Sequence, residues 1–199
     1  MPRRLLFLFL AWLALPLAAQ TSPADPTPLP RVALEMSEGR VVIELETARA
    51  PITAANFLRY AREKRLDGVD FYRAVRAGPD FGFVQFGVQN APKRVLPPIK
   101  HEPTTQTGVK HLNGAVSVAR NAPGSAQGDF TIMVGDQPSL DADPSKPGDN
   151  QGYAAFGRVV EGMDVVRRIL EAPKSPTAGP FKGEMLTPPV RIATARRAE

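Results

Sequence analysis

Along residues 31–46 apolar and polar side chains take turns. Val32, Leu34 and Met36 alternate with Arg31, Ala33 and Glu35, and Val41, Ile43 and Leu45 alternate with Val42, Glu44 and Glu46. A period of two marks strands with one face buried. Between the two runs, Ser37-Glu38-Gly39-Arg40 places a glycine where a short hairpin needs positive φ. The period then changes. Pro51 suits a first helical turn, and Ala54, Phe57, Leu58 and Ala61 recur on one helical face, which predicts a helix over 52–65 with Gly68 available to stop it. Ala154 to Val160 reads as a further strand, and after Gly162 the positions Met163, Val166, Ile169 and Leu170 predict a second helix. About a hundred residues of short strands and Gly/Pro loops separate the two helices, which does not fit alternating βαβ units. The pattern predicts a mainly β fold, a closed antiparallel β-barrel with helices covering its open ends.

A different pattern precedes it. Arg3 and Arg4 are followed by an unbroken apolar run from Leu5 to Leu15, then by Pro16 and the small residues Ala18 and Ala19. The run falls short of the roughly 20 apolar residues a spanning helix needs. It predicts a signal peptide over 1–19, cut after Ala19, with no stable membrane insertion afterwards. Residues 20–30 carry Pro23, Pro26, Pro28 and Pro30 and read as an extended, solvated tether. The remaining 31–199 makes one domain of ordinary size.

Charge and composition narrow the chemistry. The formal net charge of +5 falls to +3 once Arg3 and Arg4 are removed, and basic residues are scattered among acids, as in Arg62-Glu63-Lys64-Arg65. No basic run is interleaved with aromatics, so no nucleic-acid partner is expected. The chain has no cysteine, hence neither disulfides nor thiol chemistry, and its one tryptophan, Trp12, lies in the expected signal segment. The two histidines, His101 and His111, sit in a Pro/Thr/Gly-rich stretch and read as solvated loop residues. No HExxH, CxxC or phosphate-loop motif occurs, so no metal or cofactor is expected. Asp141, Asp143, Ser145 and Asp149 faintly suggest a calcium loop. Lys146 at its sixth position and Gly152 at its twelfth argue for a polar turn instead.

Phe71-Tyr72-Arg73-Ala74-Val75 is more informative. Alternation puts Arg73 on the face of Phe71 and Val75, and a guanidinium among apolar neighbours needs a partner, either a protein group such as a barrel acid or a ligand. Arg73 keeps notable company: Pro51-Ile52-Thr53-Ala54-Ala55-Asn56-Phe57, then Gln85, then Gly114 to Arg120, then Ala155 to Met163. In that order and spacing these segments resemble the signature segments of the cyclophilins, and the resemblance spans Arg31 to about Arg196. It implies an eight-stranded antiparallel barrel capped by two helices and peptidyl-prolyl cis/trans isomerase activity on proline-containing polypeptides. Arg73 then matches the family arginine that donates toward the prolyl nitrogen, and Gln85 the glutamine that holds it. The resemblance makes Phe71, Phe83, Ala119, Arg120, Phe130, Thr131, Leu140 and Tyr153 substrate-binding residues. It also exposes departures. The family's pocket phenylalanines fall at Gly82 and Thr131, Ser139 stands at the place of its tryptophan, and Phe83 or Phe81 is the candidate replacement wall.

Two functions remain open on these grounds. One is a monomeric, periplasmic or secreted isomerase that speeds folding of exported proteins. The other is a chaperone or scaffold module that holds proline-containing segments with little turnover, a reading that a locked Arg73 would favour.

Overall fold

The computed structural model describes residues 28–198 apart from Asn90, so the expected signal peptide and most of the tether lie outside the described residues. The opening hairpin pairs β1 (Arg31–Met36) with β2 (Gly39–Leu45), and Gly39 turns the chain at φ 133°. Helix α1 (Pro51–Arg62) follows, then β3 (Asp70–Arg76), β4 (Gly82–Gly87), the single turn α2 (Thr104–Thr107), β5 (Ala115–Val118) and β6 (Asp129–Val134). The chain ends with β7 (Ala154–Glu161), α3 (Met163–Glu171), the two-residue β8 (Lys174–Ser175) and β9 (Met185–Ala198). Pairing runs β1-β2-β7-β5-β6-β4-β3-β9, and β9 returns to β1, closing an eight-stranded antiparallel barrel with β8 appended to β9. Closure leaves none of the eight strands with an open edge.

Both expected helices are present. The first is shorter than 52–65: it ends at Arg62, and Lys64 in a left-handed turn (φ 55°), followed by Gly68 (φ 66°), carries the chain into β3. The third helix, α2, is one turn after Pro103, closed by Gly108 at φ 68°. Four residues are too few to show a helical hydrophobic period.

The core is aromatic at its centre. Phe57 of α1 meets the ring of Phe130 edge-on at 4.8 Å and that of Phe156 at 5.3 Å, and Phe71 and Phe86 lie 4.7 Å apart. Burying each such ring is worth about 1.5–3 kcal/mol, with about 0.5–1.5 kcal/mol more from favourable ring pairs. The N-terminus of α1 has no acid in its first turn. A buried carboxylate from a distant loop serves instead: Glu102 accepts from Ile52 N–H at 3.1 Å, Thr53 N–H at 2.7 Å and Thr53 Oγ1 at 2.6 Å. It satisfies donors that a helix start leaves unpaired and sits at the positive end of the helix dipole.

Glu44 ties three strands together. Its carboxylate accepts from Arg31 of β1 at 2.8 Å and from Arg158 of β7 at 2.7 Å, and these bonds hold its carboxyl below the usual carboxylate range against the opposing effect of burial. A depressed carboxyl stabilises the fold above the unfolded chain's value of about 4.5 and loses that contribution as pH falls through its lower folded value. Because both arginines reach into solvent, Glu44→Gln is expected to cost roughly 1 kcal/mol or less at neutral pH. Thermal denaturation between about pH 6 and pH 3 should show a shallower acid-side loss in the variant than in the native chain.

Candidate active site

Strand alternation builds a groove on the outer face of β3, β4, β6 and β5. Val84 and Phe86 point into the core, so Phe83 and Gln85 point out; Phe130 and Ile132 point in, so Thr131 and Met133 point out; Val116 and Val118 point in, so Ser117 and Ala119 point out. The groove encloses about 530 Å³.

Strand β3 breaks this rule at one place. Phe71 pairs with Phe86 but Arg73 pairs with Gln85, so one extra residue of β3 is bulged out; the pairing with β9 breaks at the same place, from Val190 opposite Phe71 to Met185 opposite Arg73, with the extra residues there on β9. Tyr72 and Arg73 therefore both face the groove, while Phe71 and Ala74 face the core. The expectation that Arg73 shares a face with Phe71 is corrected by this bulge. Two proposed substrate contacts are corrected as well. Phe71 and Phe130 are fully buried, 0% exposed, in the aromatic core beneath the groove. Arg73, Gln85, Phe83, Ala119, Arg120, Thr131, Leu140 and Tyr153 do line it, together with Tyr72, Asp129, Met133 and Phe181, which the sequence did not single out.

Arg73 has its protein partners. Its Nε donates to Glu184 Oε2 at 2.7 Å, its Nη2 lies 2.6 Å from the same oxygen, and its Nη1 donates to Gln85 Oε1 at 3.1 Å. The guanidinium carbon lies 3.8 Å from the centre of the Phe181 ring and 5.3 Å from that of Phe83, within cation–π range of both. Arginine has five N–H donors, so groups on Nη1 and Nη2 remain for a ligand.

Arg120 is anchored elsewhere. It donates to Asp149 at 2.5 and 3.1 Å and to Gly152 O at 2.8 Å, with its guanidinium carbon 5.2 Å from the centre of the Tyr153 ring. These bonds hold Asp149 below the usual carboxylate range and fasten the polar loop 141–152, whose ends meet where Tyr153 N–H donates to Leu140 O at 2.9 Å. Elsewhere in the groove the Tyr72 hydroxyl donates to Asp129 Oδ1 at 3.0 Å, and Gln89 N–H donates to that oxygen at 3.1 Å. Burial pushes the Asp129 carboxyl up, and burial beside that carboxyl pushes the Tyr72 phenol far up.

The histidines are not solvated, contrary to expectation. His101 is 8% and His111 1% exposed. His111 bridges Asp141 Oδ1 at 2.7 Å and Ser117 Oγ at 3.0 Å, and burial lowers its pKa against the opposing pull of Asp141. Ser117 is itself 1% exposed and lines the groove, so this chain of bonds ties a lining hydroxyl to Asp141.

Gly82 explains one departure. A Cβ there would stand 2.2 Å from Val75 O across the β3–β4 pair, so no side chain fits without moving the strand. Phe81, considered as a replacement wall, packs over Gly78 and Gly135 instead and does not line the groove.

Residues 31–197 match the family model described as cyclophilin type peptidyl-prolyl cis-trans isomerase/CLD. A peptidyl-prolyl cis-trans isomerase of Streptomyces antibioticus is 39% identical over 171 residues, 83% of this chain and 96% of that protein. Peptidyl-prolyl cis-trans isomerase A of Dickeya dadantii is 31% identical over 169 residues, 83% of each chain. Among solved structures, a Cryptosporidium parvum cyclophilin type isomerase crystallised in the presence of the dipeptide Ala-Pro superposes with a TM-score of 0.68 at 17% identity, covering 85% of this chain and 99% of that one.

Gly82→Ala is expected to lower stability by about 1–3 kcal/mol, because the neighbour that must yield is backbone. Chemical denaturation checks this. Gly82→Phe should be worse still rather than restore a pocket wall.

Proposed function

We propose, since this chain belongs to the cyclophilin-type peptidyl-prolyl cis-trans isomerase family, that it accelerates rotation about X–Pro bonds of polypeptides lying in the groove, with Arg73 as the donor acting on the prolyl amide. The observation that carries this reading is the placement of a guanidinium, bonded to Gln85 and with donors to spare, beside the apolar side chains of Phe83, Met133 and Leu140.

Resonance in the X–Pro amide sets a rotation barrier of about 18–20 kcal/mol. As the bond twists, the nitrogen lone pair leaves conjugation and becomes a hydrogen-bond acceptor. A donor already aimed at that nitrogen binds the twisted state more strongly than either planar isomer, which is the condition for acceleration. Each thousandfold gain requires about 4 kcal/mol off the barrier. Neither proton transfer nor a covalent intermediate enters this step; the protein's work is to hold the peptide and point the donor. Gln85 supports it by fixing Nη1 through its side-chain carbonyl.

One observation favours a second reading, a module that holds proline-containing segments with little turnover. Arg73 is ion-paired with Glu184, and a carboxylate partner draws on the same positive charge that the prolyl nitrogen would feel. Exchange rates decide between them.

The proposed setting is outside the cytoplasm. The support is the order Arg3-Arg4, apolar run, Pro16 and Ala18-Ala19 ahead of the proline-rich tether. Uncatalysed X–Pro isomerisation takes tens to hundreds of seconds, long enough for unfolded exported chains to aggregate, which gives such a catalyst a purpose there.

NMR exchange spectroscopy on a short Ala-Pro peptide is expected to show catalysed interconversion that Arg73→Ala reduces by a factor on the order of 100 or more, the scale of losing one donor aimed at developing charge. Binding without acceleration in the native protein would select the second reading. Cell fractionation with sequencing of the exported form's N-terminus should find it starting at Gln20; an intact Met1 in the cytoplasm would overturn the proposed setting.

A further inference from the structure

We infer that the loop leading from β8 into β9, residues 176–184, completes the prolyl pocket: Phe181 forms the aromatic wall that Gly82 and Thr131 leave out, and Glu184 is the positioning residue that fixes Arg73 beside it. This rests on the isomerase reading of the groove and assigns to it residues that the strand pattern alone would not.

Three observations converge. Phe181 lies on the guanidinium, its ring centre 3.8 Å from the Arg73 carbon, and it lines the same groove as Phe83, Met133 and Leu140. It is also 39% exposed, as is Tyr153 at 37%. Two large rings left partly open to water along one groove are surface that gains by being covered. The loop is anchored at both ends: Gly183 N–H donates to Ser175 O at 3.0 Å, and Ala74 N–H, next to Arg73, donates to Glu184 O at 2.9 Å. That last bond sets Glu184 beside β3, and its carboxylate then takes Arg73 Nε at 2.7 Å.

The division of labour follows from the chemistry. Glu184 engages the Nε side of the guanidinium and Gln85 holds Nη1, so the plane of the group is fixed from two sides while donors on Nη1 and Nη2 stay available. A guanidinium held in that way arrives at the twisted amide without first giving up rotamer freedom. Phe181 contributes through contact area, and its effect belongs to peptide affinity; Glu184 acts through Arg73, and its effect belongs to the rate at saturation.

The test uses the purified protein and an Ala-Pro tetrapeptide, reading peptide Kd by chemical-shift titration and catalysed exchange at saturating peptide. Phe181→Ala is expected to weaken Kd roughly tenfold with a fall in saturated exchange of less than about threefold, and Phe181→Leu to recover most of the affinity. Glu184→Ala should lower saturated exchange roughly tenfold with Kd changed less than about threefold, and Glu184→Gln, which keeps an acceptor oxygen, should recover much of the rate. Unchanged Kd in Phe181→Ala, or faster exchange in Glu184→Ala, overturns the inference. Arg73→Ala in the same series separates the two levels. If the native protein itself does not accelerate exchange, the isomerase reading fails; if it does and Arg73→Ala is equally fast, Arg73 is not the donor and Glu184 has nothing to position; if Arg73→Ala loses exchange while both loop variants match the native protein, only the loop assignment fails. Should a variant not fold, intermolecular NOEs in the native complex decide: contacts between the Phe181 ring and prolyl ring protons are expected, and their absence at saturation overturns the wall.

Discussion

Phe130 sits at the centre of this molecule, edge-on to Phe57 and Tyr60 and beside Phe86 and Phe156, and that aromatic knot decides which way every neighbouring strand faces. Side chains alternate along a strand, so a slip of one residue in β6 would expel Phe130 and bury Thr131. The loss of a buried ring makes such a slip costly. With Phe86 and Phe130 locked inward, Gln85 and Thr131 must look outward opposite each other, as their pairing shows. The groove is thus the reverse side of the core, set by residues that never touch a ligand. At Phe71–Arg73 strand β3 departs from the period, and the departure puts two polar side chains, Tyr72 and Arg73, into the groove from one strand.

The groove is electrostatically divided. Arg73 and Arg120 each carry a carboxylate partner, Glu184 and Asp149, so neither stands as an unpaired buried charge, which would be costly. Asp129 is different: it takes neutral donors, the Tyr72 hydroxyl and the Gln89 amide, and burial favours its protonated form. A peptide in this groove would meet hydrogen-bonding groups along its length and two cations, of which Arg120 spends its donors on Asp149, Gly152 and Asn121 while Arg73 keeps some free. That arrangement suits a backbone read by hydrogen bonds and an amide twisted at a single bond.

Much of the barrel was legible: the inward sides of β1 and β2 follow from alternation, although Ala33, Val42 and Glu44 on their other side are buried as well; Ala154 to Val160 read as a strand, and α1 and α3 follow from the helical period to within a few residues. The groove was legible in part. Segments resembling the family interleave core and groove positions, so Phe71 and Phe130 were drawn into the site along with their outward neighbours Arg73 and Thr131. Alternation would have separated Phe130 from Thr131; only the bulge separates Phe71 from Arg73, and a bulge leaves no mark in hydrophobic pattern. Glu102 reaches α1 across about 50 residues of chain, and His111 finds Ser117 and Asp141 from a stretch that looked like solvated loop. Phe181 and Glu184 lie in a Gly/Pro-rich loop without any period. What escaped the sequence is what depends on tertiary contact rather than local repetition.

The places where the chain departs from the family pattern have a physical logic. An apolar wall is defined by contact area, and the hydrophobic effect has no direction, so any element that reaches the groove can supply it. Gly82 brings β4 so near Val75 O that no wall can rise there, and Phe181 stands over Arg73 from another part of the chain. A hydrogen-bond donor has no such freedom, because its strength falls steeply as its angle departs from linear. Arg73 and Gln85 therefore sit on adjacent paired strands, where backbone hydrogen bonds fix both origins, while the apolar surface around them is drawn from strands and loops alike.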